Sequence, residues 1–158
     1  MSSPPALRWQ LAPFDALSAR ELYEALRLRA EVFVVEQECA FADPDGHDPR
    51  ALHLLGWRDG APDESPALLA YARLFAPGAL FAEASIGRVV TSPAARGSGL
   101  GRALMLEAMA RTAALFPAAP VRLAAQQRLE RFYTTLGFRT VSTSFLEDGI
   151  VHVYMVRP

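Results

Sequence analysis

The chain of 158 residues contains no lysine, so all sixteen of its basic residues are arginines. The absent lysine excludes a P-loop, whose Gly-x-x-x-x-Gly-Lys-Ser/Thr pattern requires one for the phosphate charge. The single cysteine, Cys39, excludes an internal disulfide and any metal site built from several cysteines. No apolar run approaches the length of a membrane span, and the N-terminus lacks the apolar core of a signal peptide. We therefore expect no membrane association and a cytoplasmic location.

The composition is that of a soluble globular protein, with 51% apolar and 21% charged residues. The length predicts one domain over residues 1–158. With a net charge of −1, the composition does not suggest bulk binding to nucleic acid or to an anionic membrane, and we expect no nucleic-acid partner. Arginine in place of lysine, with abundant alanine and proline, is typical of a GC-rich bacterial genome. The composition leaves a homodimer open.

Hydrophobic periodicity predicts the order β-α-β-β-β-α-β-α-β-β, which is an α+β (mixed α/β) arrangement. Ser18 followed by Glu21 predicts a capping box at the start of the first helix. Glu107 and Arg111 are spaced to pair on the second helix. The stretch Glu147-Asp148-Gly149 predicts a turn between the last two strands. The predicted strands are 7–11, 52–57, 68–75, 84–91, 121–125, 138–143 and 150–157, and the later helices are 101–116 and 129–136.

Three glycines, Gly97, Gly99 and Gly101, fall within five positions between a strand and a helix. Glycines let successive amides point at one spot, and a helix N-terminus adds positive charge, so the pattern is typical of a phosphate cradle. The spacing Gly-x-Gly-x-Gly differs from the Gly-x-Gly-x-x-Gly of a dinucleotide fingerprint. A glycine-rich turn without a ligand is the alternative.

The segment Arg96-Gly-Ser-Gly-Leu-Gly101, which follows a strand ending Val89-Val-Thr91, resembles the coenzyme A loop of the GNAT superfamily of N-acetyltransferases. Downstream, Phe132-Tyr133-Thr-Thr-Leu-Gly-Phe138 resembles the FYxxxGF signature of the same superfamily. The resemblance implies a single domain whose mostly antiparallel sheet splays at the cofactor site and is flanked by helices. It also implies acetyl-CoA as cofactor and no metal. The cofactor-binding residues that it implies are Val89, Val90, Thr91, Arg96, Gly97, Ser98, Gly99, Leu100, Gly101, Arg102 and Gln126.

The front half, including Leu28 to Cys39 and Asp45 to Asp48, resembles the ElaA-like subfamily, and so does the turn from Glu147 to His152. This resemblance implies a small-molecule amine acceptor and a site at Glu31, Phe33, Arg73, Arg88 and Glu147. Chemically, a cationic amine needs acids to bind it, and the chain offers Glu31, Glu36, Asp45, Asp48, Glu83 and Glu147. We expect the two arginines to organise these acids rather than touch the amine, because a guanidinium stays protonated. Turn chemistry at residues 43–46 and a pair between Glu31 and Arg27 are the plain alternatives.

The resemblance assigns Tyr133 as the acid that protonates the leaving thiolate, which a phenol with an ordinary pKa of about 10 can do. The alternative is that Tyr133 only packs, as Phe132 does. His152 is the first choice of base for the amine, with Glu36, Glu83 or a relayed water as alternatives. The predicted function is direct transfer of an acetyl group from acetyl-CoA to a primary amine. An idle acyl-CoA-binding or sensing module and a nucleotide-binding regulator are the competing hypotheses.

Overall fold

The computed structural model describes residues 3–158, and this part of the chain has the predicted mixed α+β architecture. The helices are α1 (Ala19–Arg29), α2 (Leu100–Leu115) and α3 (Glu130–Thr134). The strands are β1 (Arg8–Pro13), β2 (Leu52–Arg58), β3 (Ala67–Phe75), β4 (Ala84–Thr91), β5 (Val121–Gln126), β6 (Arg139–Thr140), β7 (Phe145–Glu147) and β8 (Ile150–Arg157). Short 3₁₀ segments lie at Phe14–Ala16, Asp48–Arg50, Pro93–Ala95 and Gln127–Leu129.

The first helix begins at the predicted capping box. The Glu21 amide donates to the Ser18 hydroxyl at 3.1 Å, and the Ser18 amide donates to the Glu21 carboxylate at 2.7 Å. These two bonds satisfy amides that the first turn of a helix leaves free. The predicted pair between Arg111 and Glu107 on α2 is also present, at 2.8 Å.

Beyond Arg29 the first helix widens into a π-helical segment, Ala30–Glu36. The Gln37 amide donates to the Val32 carbonyl and the Cys39 amide to the Val34 carbonyl, which are bonds across five residues. The periodicity predicted an ordinary helix here, but three of these seven residues are valines, whose branched side chains crowd an α-helical turn. Such segments often mark functional sites, and this one ends beside the cavity described below.

The sheet has the order β1-β2-β3-β4-β5-β8-β6, and β7 also pairs with β8. Every pairing is antiparallel except that of β4 with β5. These two parallel strands pair only at Ala84 with Val121 and at Ser85 with Arg122. Beyond Ser85 they separate, so the predicted splay of the sheet is confirmed.

A bulge in β4 lies next to the point where the strands separate. Tyr71 pairs with Val90 but Arg73 pairs with Gly87, so two residues of β4 face one residue of β3. One of the two, Arg88, has a φ of +48°, which is unfavourable for a side chain of this size. A bulge bends its strand and redirects a side chain. Here it turns the Arg88 guanidinium toward the segment that follows α1.

The sheet is covered by different elements on its two faces. Helix α2 packs Leu104, Met105 and Ala108 into a core with residues of β3, β5 and β8. Helix α1 packs Ala25 and Leu28 against β2 and β3 on the other side. The gap between β4 and β5 therefore lies between the face covered by α2 and the face covered by α1.

The end of the chain corrects one prediction. The strand predicted at 138–143 is limited to Arg139–Thr140, and an additional strand, β7, precedes the last turn. The Ser142 hydroxyl accepts the Tyr154 amide at 2.8 Å, so a side chain replaces a backbone partner and interrupts the ladder. The predicted turn is present, with φ values of +51° at Asp148 and +78° at Gly149.

Candidate active site

The glycine-rich loop before α2 has the conformation of an anion cradle. Gly97 and Gly99 have φ values of +79° and +81°, which favour glycine. A Cβ added at Gly97, Gly99 or Gly101 would meet nothing within 4 Å, so the space over the loop is open. Gly99 is the N-cap of a sixteen-residue helix whose first amides receive no side-chain cap. These amides and the positive helix end suit the pyrophosphate of a coenzyme A molecule.

Arg96, at the start of this loop, forms an ion pair with Glu36 at 2.6 Å. The pair joins the glycine-rich loop to the end of the π-helical segment, and both side chains remain accessible to solvent. Neither residue lines the cavity described next. The catalytic role predicted for Glu36 therefore has no support from the geometry.

A cavity of about 760 Å³ opens where β4 and β5 separate. Its lining combines residues of the splayed strands, of α3, of the last hairpin and of the segment after α1. It brings together eight residues that the sequence predicted for the site: Phe33, Arg73, Arg88, Val89, Gln126, Tyr133, Glu147 and His152. Glu31 is exposed outside the cavity, and Val90 is buried in the core against α1.

Tyr133 is buried, and its ring packs edge-on against Phe132 and Phe138. Burial raises the pKa of Tyr133 to about 12, while the positive charge of Arg128 acts weakly in the opposite direction. The residue also lines the cavity. The side chain thus packs, as the alternative hypothesis held, and its hydroxyl is protonated at neutral pH.

His152 lies on β8 opposite Gln126 of β5. Its Nδ1 is 2.7 Å from the Ile150 carbonyl, which can only accept a hydrogen bond, so Nδ1 carries the hydrogen. In the neutral ring Nε2 is then free to accept a proton, and the nearest carboxylate oxygen, on Glu147, is 3.7 Å away. The ring also stacks on Phe145 at 5.9 Å. This tautomer suits a base.

A buried network of arginines and aspartates fixes the segment that follows α1, and the sequence analysis did not single out its central residue. The Arg29 guanidinium is fully buried and donates to Asp43 at 2.7 Å and to Asp48 at 2.8 Å. Arg73 donates to Asp48 at 3.0 Å and also binds Asp45. Arg88 lies 2.8 Å from Asp43, and its guanidinium also donates to the Asp43 carbonyl.

The network is electrically balanced, with three guanidinium groups facing three carboxylates. Burial acts to raise the pKa of Asp48, but its bonds to Arg29 and Arg73 outweigh burial and hold that pKa below the ordinary range. Burial also acts to raise the pKa of Asp45, but its hydrogen bond and ion pair with Arg73 outweigh burial and hold that pKa well below the ordinary range. Both carboxylates therefore stay ionised, and the segment 41–50 is held by charge.

His53 and Tyr71 extend the network beneath this segment. The His53 Nε2 lies 2.9 Å from the Asp48 carbonyl, and its Nδ1 lies 2.6 Å from the Tyr71 hydroxyl. Burial lowers the pKa of His53 despite the opposing effect of the Asp48 carbonyl. Neutral His53 then donates to Asp48 and accepts from Tyr71, which leaves both ring nitrogens satisfied.

The arginines bind most of the acids that were expected to bind the amine. Asp45 and Asp48 belong to the network, Glu36 binds Arg96, and Glu83 binds Arg122 at 3.1 Å. Arg27 pairs with Glu24 rather than with Glu31. Within the described residues, the carboxylates that line the cavity without an arginine partner are Glu147 and Asp148. The expected role of Arg73 and Arg88 as organisers of acids fits this arrangement.

Residues 3–158 contain neither a candidate membrane span nor a candidate metal site. No helix there combines the length and hydropathy needed to cross a bilayer. No group of three or more histidine, cysteine, aspartate or glutamate side chains in this range is placed to hold a metal ion.

Comparisons with known proteins agree with this geometry. The family model for the acetyltransferase (GNAT) domain matches residues 65–157. Protein ElaA of Escherichia coli K12 is 40% identical over 96% of this chain and 96% of its own length. The crystal structure of an acyl-CoA N-acyltransferase from Pseudomonas aeruginosa has a TM-score of 0.89 and 43% identity, over 97% of this chain and 100% of that one. The crystal structure of Escherichia coli ElaA gives a TM-score of 0.86 and 37% identity, over the same shares. The chain belongs to the GNAT family of acyl-CoA N-acyltransferases, among relatives of ElaA.

Proposed function

We propose that this protein transfers an acetyl group from acetyl-CoA directly to a primary amine. The observation that carries the proposal is the cavity that opens where β4 and β5 separate and that Tyr133 and His152 line, on the strand that leads into the open glycine-rich loop. Acetyl-CoA supplies an activated thioester. The loop from Arg96 to Arg102 and the open side of β4 would hold it, since the first amides of α2 receive no side-chain cap and β4 pairs with β5 only at Ala84 and Ser85.

In the proposed reaction the bound ammonium group first loses a proton to His152 Nε2, directly or through water. The neutral nitrogen then bonds to the thioester carbonyl carbon to give a tetrahedral intermediate, from which the carbon–sulfur bond breaks while the nitrogen releases its second proton to solvent. The Tyr133 hydroxyl gives a proton to the departing sulfur and regains one from solvent. Orientation within the cavity contributes most of the acceleration, because neither group needs to move far.

Thiol release tests the proposal. Purified protein is incubated with acetyl-CoA and a panel of primary amines, and the free thiol and the acetylated amine are both measured. We expect equal amounts of the two products with at least one amine and none without the protein. Acetyl-CoA binding by calorimetry without transfer to any amine would instead favour the idle binding module.

A further inference from the structure

The charges that line the cavity limit the acceptors that it can bind. Three guanidinium groups, those of Arg50, Arg73 and Arg88, line it, and so do three carboxylates. One of the carboxylates, Asp45, is held by two of these arginines. The two carboxylates that are left, Glu147 and Asp148, are neighbours in one turn. The cavity therefore offers one pair of adjacent carboxylates to an ammonium group, and its remaining carboxylate already has arginine partners.

That place lies at the reacting end of the cavity. Glu147 is 3.7 Å from the ring of His152, and His152 lies opposite Gln126, where β5 is far from its pairing with β4. Asp148 is held near this end because its carbonyl accepts a hydrogen bond from the Cys39 thiol at 2.9 Å. An ammonium group bound here would stand beside the proposed base.

Aromatic and apolar side chains form much of the remaining wall, beside the charged groups already named. They include Phe41, Phe75, Leu80, Phe81, Ile86 and Tyr154. Guanidinium groups lie over several of these rings, with Arg73 at 5.2 Å from Phe75 and Arg122 at 5.3 Å from Tyr154. These contacts, together with the ion pairs, occupy the arginines, so the guanidinium groups are not free to bind an acceptor.

The apolar part is long enough for more than a short alkyl chain. Both Ser85 and Val89 of β4 line the cavity, and four residue steps along a strand span ~13 Å. The volume of about 760 Å³ is in the range of sites that enclose a drug-sized ligand. The acyl group would occupy only the end of the cavity beside Tyr133. The volume near Phe81 and Ser85 is then available to the body of the acceptor.

We infer that the acceptor is a monoamine whose single ammonium group is carried by an apolar, aromatic body, rather than a polyamine, an amino sugar or a lysine-rich peptide. The inference rests on the proposed function, because it names the class of amine that the same reaction would use. The ammonium binds between Glu147 and Asp148, and the apolar body extends along β4 toward Phe81.

The test compares acceptors at saturating acetyl-CoA. The probes are 2-phenylethylamine, ethylamine, spermidine, glucosamine and a lysine-containing peptide, and kcat/KM is measured for each. We expect 2-phenylethylamine to exceed every other probe by about tenfold or more, since burial of a few apolar groups is worth that much. An equal or higher kcat/KM for spermidine, glucosamine or the peptide would overturn the inference and leave the proposed function intact. Absence of transfer to all five probes would count against the proposed function itself.

A variant with a reduced cavity provides the matched control. Ala124 lines the cavity and is exposed to it, so A124L adds volume there without entering the core. We expect A124L to raise the KM for 2-phenylethylamine by about tenfold and to leave the KM for ethylamine unchanged. A113L makes the same change on the exposed side of α2 and should affect neither. Equal effects of A124L on both amines would contradict an extended acceptor site.

Discussion

At the scale of single residues, the Tyr133 hydroxyl distinguishes a proton donor from a packing ring. Y133F keeps the ring contacts with Phe132 and Phe138 and removes the donor. Because the raised pKa of Tyr133 keeps the phenol protonated at neutral pH, we expect turnover to fall by about 10²–10⁴-fold. Acetyl-CoA affinity, measured by calorimetry, should stay within experimental error. Near-normal turnover in Y133F would show that Tyr133 has a packing role only. The control variant is Y23F, which removes the hydroxyl of an exposed tyrosine.

His152 makes a second prediction at this scale. Its Nδ1 is held by the Ile150 carbonyl, so Nε2 is the atom that can receive the proton of the amine. We expect the turnover of the wild type to fall as the solution is acidified, because a protonated imidazole cannot accept the proton of the amine. In H152Q this limb should disappear, and the remaining rate should be lower and nearly independent of pH. Persistence of the limb in H152Q would assign the base to another group.

At the scale of elements, the open glycine-rich loop before α2 predicts how cofactor binding can be lost. G99D puts a carboxylate where the helix N-terminus attracts an anion, whereas G99N has the same shape without the charge. Asparagine and aspartate both tolerate the left-handed backbone that Gly99 adopts, so the backbone effect of the two variants is similar. We expect calorimetry to detect acetyl-CoA binding in G99N and none in G99D. Equal affinities in the two variants would show that the cradle is not the anchor of the cofactor.

Features set by neighbouring residues could be read from the sequence. The capping box at Ser18, the bounds of β4 and β8, and the turn at Asp148 depend on side chains within a few positions, and the structure has all of them. The splay between β4 and β5 followed from a family resemblance, which carries long-range information that a local pattern lacks. The order of elements was predicted except at the end, where Ser142 divides one expected strand.

The buried network could not be read in this way. Arg29 binds Asp43 and Asp48, which are 14 and 19 residues away, and no local pattern specifies such partners. One signal was available: Arg29 lies four positions after Ala25, on the apolar face of α1, where an uncompensated charge would be costly. Without knowledge of these partners, Asp45 and Asp48 were counted among the acids expected to bind the amine. Ion pairs between residues that are far apart in sequence decide which acids are free to bind the substrate. These pairs are visible only in the folded chain.

At the scale of the whole molecule, the network makes stability depend on pH. Burial lowers the pKa of His53, so the unfolded chain binds a proton that the folded chain rejects, and stability falls as the pH drops below about 6.5. One such group contributes a slope of at most about 1.4 kcal/mol per pH unit. The lowered pKa values of Asp45 and Asp48 add a further loss of stability below about pH 4, when these carboxylates become protonated in the unfolded chain.

Urea denaturation at a series of pH values measures this dependence. We expect the free energy of unfolding to be nearly constant above pH 7 and to decline between pH 6.5 and 5. The variant H53Q is expected to be less stable overall but to lose this decline. A wild-type stability that is flat from pH 7 to 5 would contradict a neutral buried His53.

The short seam between β4 and β5 has a mechanical consequence. Only two residue pairs join the strands, so the sheet consists of two stiff plates, residues 8–91 and 121–157, that share a short edge and are bridged by α2. Two residue pairs restrain the relative orientation of the plates less than a full-length pairing would, and a ligand bound in the open end would add contacts to both plates. The two plates also follow each other in sequence, with α2 and its flanking loops between them. A ligand in the gap would therefore act as a brace, damping the twist of an already formed shape rather than imposing a new one.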